Sequence, residues 1–166
     1  MAIREILLLG NPKLYEVCEP VREDELQGLE PVVQDLHDTM MDFKDRYGLG
    51  RAIAAPQIGV MKRLVYVFVE SPSIFINPTI DQKSEEMVEM WDDCMSFPEL
   101  VVKVRRHKRC RIAFRDENWT EQRTDLGEDL GELLQHEVDH LDGILAVQRA
   151  IDEKSFGLRS QLSLLK

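Results

Sequence analysis

The run His136-Glu137-Val138-Asp139-His140 constrains this chain more than any other feature. Two histidines four residues apart on a helix lie one turn above each other, so both imidazoles can reach one metal ion. The glutamate after the first histidine then points toward the open side of that metal, where it can take a proton from water. A bare HExxH pattern can arise by chance in a charged helix, so its surroundings have to decide. At about 100° per residue, Leu126, Leu130, Leu133 and Leu141 fall on one face with Glu137 in their midst. A carboxylate there is costly to bury unless it is paired, protonated or facing a metal. A solvated ridge does not fit that wheel. The helix is expected over residues 124–141, with Gly143 as its stop.

Two histidines do not complete a metal site. In HExxHxxGxxH enzymes a third histidine follows, but Ala146 stands at that position, and downstream only Glu153 offers a carboxylate. The upstream candidates are Cys94, His37 and His107. His37 lies in an amphipathic helical stretch and His107 in the run Arg105-Arg106-His107-Lys108-Arg109, both settings that favour solvated rings. Cys94 follows Asp92-Asp93 and precedes Ser96-Phe97-Pro98, a turn-like setting that can expose a thiolate. Cys94, His136 and His140 together would leave a fourth position open, as a catalytic site requires. Spacing puts Cys94 ahead without excluding the others. Cys110 reads as a small buried hydrophobe on a strand, and Cys18 as incidental.

The rest of the chain supplies one domain, residues 1–166, without repeats or linkers. Apolar residues at helical spacing over 23–46 predict a first helix, stopped by Gly48 and Gly50. Strands are expected at 64–69, at 73–76 before Asn77-Pro78, at 101–104 and around Cys110, Ile112 and Phe114. A last amphipathic stretch uses Ile151, Ser155, Leu158, Leu162 and Leu165. Strands followed by helices without regular alternation predict an α+β fold, with antiparallel strands packed around a central HExxH helix. The net charge of −10 argues against general nucleic-acid binding and against an anionic membrane surface. The apolar run at 64–69 is far short of a membrane span, and three cysteines make no disulfide scaffold. A cytoplasmic protein is the expectation.

Taken together, the motifs resemble those of the peptide deformylase family, over nearly the whole chain and in the family's order. The third motif is intact as Gln135-His136-Glu137-Val138-Asp139-His140-Leu141-Asp142-Gly143. The first, GxGLAAPQ, appears as Gly50-Arg51-Ala52-Ile53-Ala54-Ala55-Pro56-Gln57, and the second, EGCLS, as Asp92-Asp93-Cys94-Met95-Ser96. The resemblance implies that Cys94, His136 and His140 bind one divalent metal ion, Fe²⁺ in the cell and replaceable by Zn²⁺, Ni²⁺ or Co²⁺. It implies that Glu137 is the general base and then the acid. It also implies that Gln57 and the Met95 backbone N–H hold the developing oxyanion, while formate is released from formylmethionyl peptides. Without it, Gln57 would read as a loop residue bonding its own backbone.

The departures surround the substrate. Ala52 and Asp93 replace motif glycines, and Gly50 and Asp129 complete the set of expected substrate-binding positions. Asp92 shortens a glutamate whose ionic partner corresponds to Arg106, Val101 stands where many members carry a substrate-holding arginine, and Glu132 replaces a commonly basic residue. Reduced turnover of ordinary formylmethionyl peptides follows as an expectation. Two rivals stay open: a hydrolase of another N-formyl or N-acyl small molecule, and a metal-binding protein without activity. The tail from 152 carries one excess positive charge, too weak a signal to infer ribosome docking.

Overall fold

A computed structural model describes residues 2–165. Strands β1 (Ala52–Ala54), β2 (Leu64–Phe68), β3 (Pro72–Asp81), β6 (Cys110–Arg115) and β7 (Glu121–Leu126) form a five-stranded antiparallel sheet in the order β1-β2-β3-β6-β7. Strands β4 (Met87–Asp92), β5 (Leu100–His107) and β8 (Phe156–Leu158) form a three-stranded antiparallel sheet in the order β4-β5-β8. Helix α1 (Leu29–Tyr47) covers one face of the larger sheet, and α2 (Glu128–Leu141) covers the other while also touching β5. The α+β expectation holds, with α2 between the sheets.

The uninterrupted apolar run of β2 has a simple cause. Val65 and Val67 point into the core formed with Leu133, Leu134, Val138 and Leu141 of α2. Leu64 and Tyr66 point the other way, against Leu36, Met40 and Phe43 of α1. A strand covered on both faces needs apolar residues at every position. In β5, by contrast, Val102, Val104 and Arg106 share one buried face by two-residue alternation, which carries a guanidinium inward toward α2.

Several elements differ from the sequence reading. The motif helix begins at Glu128, because residues 124–126 complete β7, where Thr124 pairs with Ile112 and Cys110 with Leu126. Leu126 is therefore buried as a strand residue, and Leu130 is exposed rather than on the core face. The first helix starts at Leu29, preceded by a 3-10 turn over Glu23–Gly28. β3 does not end at Asn77-Pro78. Its register shifts there, with Asn77 at φ 50°, and pairing resumes at Thr79. The Asn77 side chain bonds both the N–H and the carbonyl of Val21, each at 2.8 Å, which fixes this bulge. The tail is not an α-helix: it adds β8 and a 3-10 turn over Arg159–Leu164. Strand β4 carries no sequence signal beyond weak alternation. Among the described residues, no helix is long and apolar enough to cross a membrane.

Candidate active site

Cys94 follows β4 and the two histidines ride on α2, so the two elements meet where the sheets meet. The ligand atoms of Cys94, His136 and His140 lie within 4.8 Å of one another, and all three residues are buried. Cys94 Sγ sits 3.3 Å from His140 Nε2. Donors about 2.3 Å (sulfur) and 2.1 Å (nitrogen) from a tetrahedral ion would lie roughly 3.5 Å apart, so the trio fits a small divalent metal. The other upstream candidates go elsewhere: His37 Nδ1 meets the Tyr66 hydroxyl at 2.7 Å and His107 Nδ1 the Ser84 carbonyl at 2.7 Å. Both rings are half-buried rather than solvated.

The orientation of His136 is set by Asp92, whose Oδ2 lies 2.9 Å from Nδ1 and leaves Nε2 for the ligand trio. The same oxygen accepts from Arg106 Nη2 at 2.9 Å, and Arg106 Nη1 also reaches Asp139 at 3.1 Å. The shortened acid therefore keeps the ionic partner expected from the sequence. Burial would raise the Asp92 pKa, but His136 and Arg106 outweigh it and hold the carboxyl far below its usual range. Burial would likewise lower the His136 pKa, yet the Asp92 carboxylate raises it well above the ordinary value, making the ring a strong donor. His140, without such a partner, is pushed well below by burial and by His136.

Glu137 is 4% exposed, and its Oε2 has no hydrogen-bond partner among the described residues. Burial raises its pKa from 4.5 to about 7, with Asp92 and Glu132 adding and His136 and Arg106 opposing. A carboxylate poised near neutrality can both take and return a proton. Gln57 sits in the 3-10 turn Ala55–Ile58 and is fully buried. Its Oε1 accepts from its own neighbour's backbone, Ala54 N–H, at 2.9 Å. That local bond is also what aims Nε2 at Ser96 Oγ (3.2 Å) and Cys94 Sγ (3.5 Å). The Met95 side chain belongs to the α1 core, and its N–H makes no hydrogen bond among the described residues.

A cavity of about 320 Å³ opens beside these groups, and Gly50, Ala52 and Asp93 line it as expected. Asp129 does not. It is exposed and borders a neighbouring hollow, because one helical turn separates it from Glu132, which takes the wall position together with Leu133. Val101 is buried in β5 opposite Gly157, so no side chain reaches the cavity from that position. The sequence reading missed Arg51, Lys44, Phe43, Leu49 and Arg159 as lining residues. Arg51 lay within a motif already singled out. Arg159, in the tail, gave no signal at all.

The family model described as polypeptide deformylase matches residues 3–156. The peptide deformylase of Leptospira biflexa serovar Patoc is 35% identical, covering 98% of this chain and 96% of that protein. A peptide deformylase-like protein of Brucella melitensis is 37% identical over 90% of this chain and 89% of its own. Among solved structures, peptide deformylase from Thermotoga maritima superposes with a TM-score of 0.84 at 27% identity, covering 92% of this chain and 100% of that one. The Synechococcus elongatus peptide deformylase in complex with actinonin gives 0.82 at 27% identity, covering 92% of this chain and 87% of that one.

Proposed function

The chain belongs to the polypeptide deformylase family, and from that premise we propose that it removes the formyl group from formylated N-termini using Cys94, His136 and His140 as metal ligands and Glu137 as acid and base. Fe²⁺ is the ion assigned in the cell, with Zn²⁺, Ni²⁺ and Co²⁺ suited to the same nitrogen and sulfur donors. A metal held there would polarise the formyl carbonyl and acidify water.

The remaining work falls to the chain's own groups. Glu137 takes the proton of the attacking water and returns it to the nitrogen as the carbon–nitrogen bond breaks, so the products are formate and a free amine. Gln57 Nε2 and the Met95 N–H donate to the carbonyl oxygen as negative charge builds on it. Donors of that kind are worth about 3–4 kcal/mol each in the transition state. Asp92 and Arg106 hold His136 in orientation. The three cysteines are all free, which suits the reducing cytoplasm assigned to the protein.

The observation that carries this reading is Glu137: a buried carboxylate whose Oε2 has no hydrogen-bond partner among the described residues, beside three donors, has no use in a purely structural metal site. Glu137→Gln should keep the bound metal and the fold while formate release from a formylated peptide falls by about 10²–10⁴-fold. Elemental analysis and a formate assay on the same preparation check both halves. Undiminished release would remove Glu137 from the chemistry.

A further inference from the structure

The walls of the cavity carry charges that the reaction itself does not use. Arg51 Nη2 meets Glu132 Oε1 at 2.6 Å, and Arg159 Nη2 meets Asp93 Oδ2 at 3.1 Å, all four residues lining the cavity. The exposed Lys44 side chain also lines the cavity, with no ion-pair or hydrogen-bond partner among the described residues. Phe43, Leu49, Ala52, Met95 and Leu133 supply the apolar part of the lining. Because Gln57, Cys94, His136 and Glu137 line the same cavity, a formyl group placed on them leaves the rest of the cavity to the neighbouring part of the substrate.

The first ion pair decides what that part can be. The Arg51 side chain is 49% exposed and that of Glu132 15%, so water still reaches the pair, and an occupant of the cavity has to displace it. An apolar side chain would strip that water without replacing its hydrogen bonds, which is costly. A side chain ending in an amide or a carboxylate restores them. Three cations, Lys44, Arg51 and Arg159, share the lining with three carboxyl groups, Glu132, Asp93 and Glu137, while Asp92 is already paired with Arg106. Of the three cations only Lys44 has a side chain with no ion-pair partner among the described residues, so it is free to donate to an occupant that accepts hydrogen bonds. Resting on the deformylase reading above, the geometry points to a substrate whose side chain beside the formyl group is polar, glutamine-like or glutamate-like, in preference to an apolar one of the same length. Arg51 and Glu132 set that preference. Arg159, beyond the span matched by the family model, adds a second paired cation to the lining.

Binding to metal-loaded Glu137→Gln, which should hold substrate without turning it over, tests this apart from catalysis. Formyl-Gln-Ala and formyl-Glu-Ala should bind about tenfold or more tighter than formyl-norleucyl-Ala, as expected when buried polar groups would otherwise lose their partners. Adding Arg51→Leu and Glu132→Leu together leaves no lone charge behind, and should invert the order. The swapped pair, Arg51→Glu with Glu132→Arg, keeps a polar wall and should preserve the order, so the result does not hang on one variant's folding. Tighter binding of the norleucyl peptide by the parent protein, or an order indifferent to the double leucine variant, would overturn the inference. Formate release by the wild type is read separately. Its absence from every peptide would sink the hydrolase reading, while the binding order still decides the chemistry of the cavity.

Discussion

At the scale of single residues, Glu137 shows how a site is bought at the expense of stability. Its carboxyl has a pKa of about 7 in the fold against 4.5 ordinarily, because burial disfavours the charged form. A raised acid leaves folding stability whole below the unfolded value and erodes it as pH climbs through the folded one. In chelated protein the loss should therefore develop between about pH 4.5 and 7, reaching about 3 kcal/mol. Glu137→Gln removes the titrating group. The chelated variant should match the wild type near pH 4.5 and become progressively more stable above it, as denaturant unfolding across that range would show. A pH-independent difference would contradict the argument. His136, His140 and Glu137 were legible because their signal is local: spacing within one helix, and a carboxylate on its apolar face. Cys94 led the upstream candidates only narrowly on spacing, and Gln57 and Met95 came through the family resemblance alone. The wall residues were not legible. Arg51 and Glu132 lie 81 positions apart and Arg159 and Asp93 lie 66 apart, so only the folded chain brings them together.

At the scale of elements, α2 is held as firmly at its end as along its face. Gly143 has φ +72°, and a Cβ there would overlap the Tyr15 carbonyl oxygen and crowd its carbon. The close approach exists because the N-terminal segment crosses the helix end, where Cys18 N–H donates to the Leu141 carbonyl at 2.9 Å. Gly143→Ala combines a left-handed backbone with that overlap, so it should cost at least about 2 kcal/mol. A shift of the denaturation midpoint measures it, and a neutral substitution would show that the segment can swing away. The same N-terminal segment bonds the Gln57 carbonyl through Leu7 N–H and the Ser96 carbonyl through Leu9 N–H, both at 2.8 Å, tying the two loops of the site together. Helix α1, the core of α2, and strands β2 and β6 were readable from periodicity. β4 and β7 were not, because alternation at a half-exposed edge is diluted by charged residues such as Glu89, Arg123 and Asp125. The extra turn assigned to α2 failed for a related reason. Residues 124–126 satisfy either period, and pairing with β6 decides it.

At the scale of the whole molecule, the ligand trio joins parts that the backbone leaves separate. Cys94 follows β4 of the smaller sheet, whereas His136 and His140 sit on the helix that packs against the larger one. Gln135 of α2 hydrogen-bonds both the N–H and the carbonyl of His107 in β5, and ion pairs add to this: Arg106 of β5 bridges Asp92 and Asp139, and Arg149 adds a second bond to Asp139. Buried pairs of this kind compensate their own desolvation more than they add net stability. A metal bound only by the folded state adds stability directly, by about 4 kcal/mol when free metal exceeds its dissociation constant a thousandfold. For a domain of this size that corresponds to roughly 10 °C in Tm. Chelation should therefore lower Tm by about that amount, with hydrogen exchange rising first in the segment around Cys94 and at the start of β5. Cys94→Ser weakens the trio by replacing a thiolate with a poorer donor, and its Tm should respond much less to chelator. An equal response in both proteins would place the stabilising metal somewhere other than this trio.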